Sequence, residues 1–160
     1  MHDTRNDLPA ASRAKVIEAL NARLAEAIDL GAQAKHAHWN VKGPNFIALH
    51  ELFDKLAESV EEHIDELAER ITALGGTAYG TIATVARTTG LTPYPEAIVE
   101  GLAHVAALAN VVSQFGKKIR NGIDDAGRVG DADTADLYTG ISREVDKYLW
   151  FLEAHLQSGR

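Results

Sequence analysis

The 160-residue chain contains no cysteine. Disulfides are therefore unavailable, and so are thiolate sites of the structural-zinc and iron–sulfur kinds, which leaves imidazole and carboxylate as the donors for any metal. A basic balance is missing too. There are 23 acidic residues against 16 basic ones, a formal net charge of -7, with a pI near 5.4. A chain of that sign is repelled by nucleic-acid phosphates and anionic lipid and attracts cations. No apolar run approaches the roughly 18 residues that a membrane span needs. The opening stretch MHDTRNDLPAASRAK mixes acids and bases without an apolar core, so it does not read as a secretory signal. The expected location is the cytoplasm, with association with the nucleoid left open.

What is present has an ordinary globular balance, 46% hydrophobic and 24% charged, sufficient for one core. Residues 1–11 read as a flexible tail and residues 12–160 as a single domain. After Ser12, the residues Val16, Leu20, Leu24, Ala27, Ile28 and Ala34 recur at three- and four-residue intervals, which predicts an amphipathic first helix. The turn signal Lys42-Gly43-Pro44-Asn45 stops it, and Pro44 suits the first turn of a second helix that runs to about Leu74 and is closed by Gly75-Gly76.

From Thr77 to Pro95 the chain is rich in Gly, Thr and Pro and reads as a crossover connection with a short helix around Ile82 to Val85. A third helix, about Glu96 to Asp124, presents Ile98, Leu102, Val105, Leu108, Val112, Phe115 and Ile119 on one face, and AGRVGD ends it. A fourth, about Asp133 to Gln157, carries Leu137, Ile141, Val145, Leu149 and Leu152. Four long helices, no strand pattern, and one long connection between the second and third describe an all-α four-helix bundle of ferritin-like topology.

The chemistry concentrates in AKHAHWNVKGPNFIALHELFDKLAESVEEHIDELAERI. His50 and Asp54 are four residues apart, as are Asp65 and Glu69, so each pair projects from one face of a helix with Cβ atoms roughly 5–6 Å apart. Asp54 and Asp65 share an azimuth but stand about 16 Å apart along the axis. The two pairs therefore cannot share one metal within a chain. A second copy packed antiparallel across a two-fold axis would bring the His50–Asp54 end of one helix to the Asp65–Glu69 end of the other, making two identical sites. His38, at the end of the first helix, can add another imidazole. Two imidazoles and three carboxylates suit iron(II), manganese or zinc. The Glu-x-x-His motif of single-chain di-iron bundles is missing, which favours a site between chains. The same spacing also fits solvated helix-face charge, since Glu58, Glu61, Glu62 and Glu66 lie in the same run. His36, His63, His104 and His155 lack matching partners and are read as structural.

The run HAHWNVKGPNFIALHELFD, followed by HIDELAERI and LGG, closely resembles the signature of the Dps family, the DNA-binding proteins from starved cells. The similarity is collinear over about Leu20 to Leu156 and includes DKYLWFLE ending at Glu153. The resemblance implies a hollow twelve-subunit shell with a ferroxidase centre at the two-fold interface. His38, His50 and Asp54 match the ligands of one subunit, and Asp65 and Glu69 match those of its partner. Iron is then both the bound metal and the cargo: iron(II) is oxidised, preferentially by hydrogen peroxide and otherwise by oxygen, and iron(III) mineral is deposited in the cavity. Trp39 matches an aromatic residue implicated in trapping radicals, and it equally suits a large side chain filling the dimer interface. Asp124, Asp125 and Asp131 are candidates for an acidic three-fold channel, and Arg120 and Asp136 resemble positions that pair between subunits.

The family name also implies DNA, and here the residues argue otherwise. In the first fifteen residues Arg5, Arg13 and Lys15 are offset by Asp3 and Asp7, and the chain closes on Gln157-Ser-Gly-Arg160, so neither terminus is the lysine-rich tail that phosphate binding needs. Weak or absent DNA binding is expected. A DNA-compacting nucleoid protein with secondary iron chemistry remains the alternative, and a structural assembly or a metal buffer without redox turnover is the third reading.

Overall fold

The computed structural model describes residues 1–157, so residues 158–160, part of the C-terminal segment read above as lacking the lysines of a DNA-binding tail, lie outside the described residues. Five helices make up the fold: α1 (Ala10–Asn40), α2 (Phe46–Ala73), α3 (Ile82–Thr88), α4 (Gly101–Arg128) and α5 (Ala132–Leu156). Among the described residues no strand forms, and one isolated parallel bridge joins Lys42 to Glu100. The short connections make α1 and α2 one helical hairpin and α4 and α5 another. α1 packs along α4, α2 along α5, and α3 rests on α1. This is the all-α bundle with a short crossover helix that the periodicity predicts.

The apolar stripes meet in one continuous core. Leu20, Leu24, Leu30, Phe53, Leu56, Leu67, Leu108, Phe115 and Ile141 are all buried within it. Two of the helix ends are set by glycine. At the end of α2, Gly75 takes φ +84, its N–H donates to Thr72 O at 2.9 Å, and Gly76 N–H donates to Ile71 O at 2.8 Å. That pair of bonds is a Schellman closure, which needs a left-handed residue at the first position past the cap. Gly130, with φ +83, closes α4 in the same way, through bonds from Gly130 and Asp131 to the carbonyls of Gly127 and Ala126.

Several boundaries differ from expectation. α1 starts at Ala10, with Pro9 at its cap, not after Ser12. Pro44 sits in the turn ahead of α2, whose cap residue is Asn45. α4 begins at Gly101 because the Pro95 to Glu100 stretch is drawn toward the α1–α2 corner, where Lys42 N–H donates to Val99 O at 3.3 Å. It continues to Arg128 because Gly127 is accommodated inside the helix and only Gly130 turns left-handed. Ahead of α1, Leu8 packs against the core, and His2 N–H donates to Gly75 O at 2.7 Å.

Candidate metal centre

The end of α1 and the start of α2 face each other across the Val41–Asn45 corner, which places His38 beside His50. The two residues are locked reciprocally. His38 Nδ1 lies 2.8 Å from His50 O, and His50 Nδ1 lies 2.8 Å from His38 O. A carbonyl oxygen only accepts, so each Nδ1 carries the proton and each Nε2 keeps its lone pair, which is the tautomer a metal ligand requires. The rings stack with centroids 3.7 Å apart and an interplanar angle of 21°. Their orientation is thus set by backbone groups and does not depend on a metal being present.

Asp54, one turn after His50, completes the group, with its Oδ1 3.9 Å from His38 Nδ1. Lys35, one turn before His38, donates to the same carboxylate oxygen. That hydrogen bond holds the Asp54 carboxyl below its usual range against a smaller opposing effect of burial, and the nearby His38, Lys35 and His50 act in the same direction as the bond. The carboxylate is therefore ionised and already engaged with a cation, so a metal arriving there exchanges with the Lys35 ammonium. Lys35 was not singled out by sequence, although its position three residues ahead of His38 was the available signal.

Asp65 and Glu69 lie further along α2 and are exposed. Asp65 borders an open groove lined also by Glu58, Glu61, Glu62, Ile64 and Ala68. Among the described residues no group of three or more His, Asp and Glu side chains is assembled to hold a metal within the single chain. The structure places His38 against His50 and Asp54 near the His38 ring without closing the three into a metal-holding group, and Asp65 and Glu69 lie further along α2, as the eleven-residue separation requires.

Apolar surface lies beside the imidazole pair. Trp39 is 70% exposed and Ile47 61% exposed, and the Phe46 ring sits 5.1 Å from that of His50. Exposed aromatic surface of this kind is what a second chain would cover.

The acidic candidates near the end of α4 divide. Asp124 and Asp125 are exposed, and Asp125 pairs with Arg128 at 2.6 Å. Asp131 is buried and already committed, so it is corrected from channel residue to structural cap. Its carboxylate accepts from Thr134 N–H at 3.0 Å and Thr134 Oγ1 at 2.6 Å, and from Arg70 Nη2 at 2.6 Å. Within one chain Arg120 pairs with Asp146 at 2.5 Å.

An all-α bundle with a crossover helix and a paired imidazole–carboxylate face defines a ferritin-like protein, and residues 17–160 match the family model for the ferritin-like domain. Relatives narrow the class. The chain is 47% identical over 156 residues to the DNA protection during starvation protein of Agrobacterium fabrum, covering 98% of this chain and 96% of that protein. DpsA14 from Streptomyces coelicolor superposes with a TM-score of 0.92 at 35% identity, over 98% of this chain and 92% of that one. The Dps protein of Vibrio cholerae O1, described as a member of a broad superfamily of ferritin-like diiron-carboxylate proteins, superposes with a TM-score of 0.91 at 27% identity, over 98% of each chain. The chain belongs to the Dps family of ferritin-like proteins.

Proposed function

We propose that this chain is a ferroxidase and iron store that oxidises iron(II), with hydrogen peroxide as preferred oxidant, and holds iron(III) mineral inside a twelve-subunit shell, limiting oxidative damage. Membership of the family supports the coarser part of this reading, and the imidazole and carboxylate donors support iron as the metal handled. The observation that carries it is the reciprocal His38–His50 bonding, which leaves each Nε2 free of the backbone, with the ionised Asp54 carboxylate 3.9 Å from the His38 ring.

Iron(II) is the substrate. His38, His50 and Asp54 hold it from one subunit, and Asp65 and Glu69 of the partner subunit close the other side. Three carboxylates against two imidazoles match the hardness of iron in both oxidation states, and neutral imidazoles keep affinity for the ferrous form. The acidic groove along α2 draws cations toward the interface, and exposed Asp124 and Asp125 do the same near the end of α4. Trp39, next to His38, serves as either a radical trap or an interface filler. The net charge disfavours DNA as a partner.

Anaerobic loading of iron(II) followed by peroxide tests the reading on wild type and on the His50→Ala, Asp54→Ala double variant. The expected result is rapid ferric absorbance with one peroxide consumed per two iron(II) in the wild type, and a rate near the protein-free background in the double variant. Equal rates in the two proteins would remove the site assignment.

A further inference from the structure

Away from the candidate centre, one tyrosine differs from the rest. Tyr94 Oη lies 2.5 Å from His104 Nδ1. Of the four tyrosines, Tyr79 is exposed, Tyr138 has a buried hydroxyl without a partner among the described residues, and Tyr148 donates to the Lys55 carbonyl at 3.0 Å. Only Tyr94 addresses a base. His104 is 0% exposed, and its Nε2 finds no partner among the described residues. Burial, and secondarily the neighbouring His36, hold its proton affinity below the ordinary histidine value, so at neutral pH the ring is an uncharged acceptor. Burial raises the Tyr94 pKa well above the usual tyrosine range, so the phenol keeps its proton at rest.

Aromatic contacts set the pair against chain neighbours of two candidate ligands, so the covalent chain is the short link from the pair to the centre. The His36 ring stands edge-on to Tyr94 with centroids 5.0 Å apart, and His36 is two residues before His38 on α1. The Phe53 ring lies 6.4 Å from that of His104, and Phe53 directly precedes Asp54 on α2. A phenol hydrogen-bonded to a neutral buried imidazole is built to lose an electron and a proton together, because the oxidised phenol is a strong acid with its base already in place.

We propose that Tyr94 and His104 form a proton-coupled electron relay that quenches one-electron oxidants of the hydroxyl-radical class arising beside the metal centre. The inference rests on the ferroxidase reading for the source of the oxidant. In the first step the Tyr94 phenol gives one electron to the hydroxyl radical, which becomes hydroxide. The Tyr94 O–H bond breaks and an N–H bond forms at His104 Nδ1, leaving a neutral phenoxyl radical beside an imidazolium. In the second step one iron(II) substrate ion reduces the phenoxyl radical and becomes iron(III), while the proton returns from Nδ1 to the phenol oxygen. The balance is one iron(II) and one hydroxyl radical converted to iron(III) and hydroxide. The low proton affinity of buried His104 favours that return.

The test uses the metal-free full chain, so its outcome is separate from that of the iron assay. A flash-generated ruthenium(III) tris-bipyridine oxidant is applied, and the frozen sample is read by electron paramagnetic resonance. The expected signal is a tyrosyl radical with a proton coupling that exchange into D2O removes, a feature that needs no variant to observe. Tyr94→Phe abolishes that signal. His104→Gln, which can still accept a hydrogen bond but cannot take the proton, lowers its yield at least several-fold while the thermal melt stays cooperative. An unchanged signal in Tyr94→Phe, an exchange-insensitive one in the wild type, or a full yield in His104→Gln would each overturn the relay. A normal Tyr94 radical combined with iron oxidation that is indifferent to His50 and Asp54 would instead sink the ferroxidase reading alone.

Discussion

Each imidazole of the His38–His50 pair donates its Nδ1 proton to the backbone of the other residue, so the ligand geometry is fixed by the corner that joins α1 to α2. The two pairs were legible because helical spacing places His50 with Asp54 and Asp65 with Glu69. The reciprocal locking was not, because it depends on backbone carbonyls that only the folded corner presents. Lys35 follows the same logic. It neutralises Asp54 across two helices, and Lys35→Met leaves the carboxylate without a competing cation. The expected outcome is cobalt(II) or iron(II) affinity raised by roughly a few-fold, as befits a half-exposed ion pair, measured by anaerobic titration. His104 allows a pH prediction. Its folded-state proton affinity lies below the ordinary value of 6.5, so below that pH the unfolded chain binds a proton that the folded chain does not. Stability from this residue is complete above about pH 6.5, falls as pH drops below it, and levels off under the depressed folded value. Urea midpoints measured between pH 7 and pH 5 should fall less steeply in His104→Gln than in the wild type.

At the scale of the elements, periodicity located every long helix, while the ends answered to contacts between distant segments. Val129-Gly130-Asp131 shows why. Glycine at 127 and at 130 gives two equivalent stop signals in sequence, and the helix passes the first because the second coincides with the buried Asp131 cap of α5. That cap also receives Arg70 from the last turn of α2, tying three helix ends together. Asp131 had been read as a channel acid because burial of one carboxylate among several in a loop leaves no mark on composition. Asp131→Ala removes the cap and leaves the Arg70 charge unpaired, so a loss of about 3 kcal/mol in unfolding free energy is expected, measured by urea denaturation. Close approach of α4 and α5 depends on Gly122, where a Cβ would come within 2.8 Å of the Tyr138 ring. Gly122→Ala should cost about 1–3 kcal/mol through overpacking in spite of its better helix propensity, visible as a lowered melting temperature.

For the whole molecule, the proposed function gives the single chain half of two centres, and its exposed Trp39, Phe46 and Ile47 lie beside the imidazole pair. The acidic excess is spread over a bundle in which, among the described residues, no helix is long and apolar enough to cross a membrane. A net charge of -7 on each chain attracts cations and opposes DNA, so retardation of duplex DNA should be absent at physiological salt. The central claim is that the ligands are divided between two chains, and mixing tests it most directly. One variant carries His50→Ala with Asp54→Ala, the other Asp65→Ala with Glu69→Ala, and each alone is expected to be inactive. In a two-fold dimer containing one of each, both lesions fall in the same site and the other site is intact. Co-assembly at equal amounts should therefore restore about a quarter of the wild-type ferroxidase sites, read as ferric absorbance after peroxide. A mixture no more active than its inactive components, in assemblies shown to contain both chains, would contradict the shared centre.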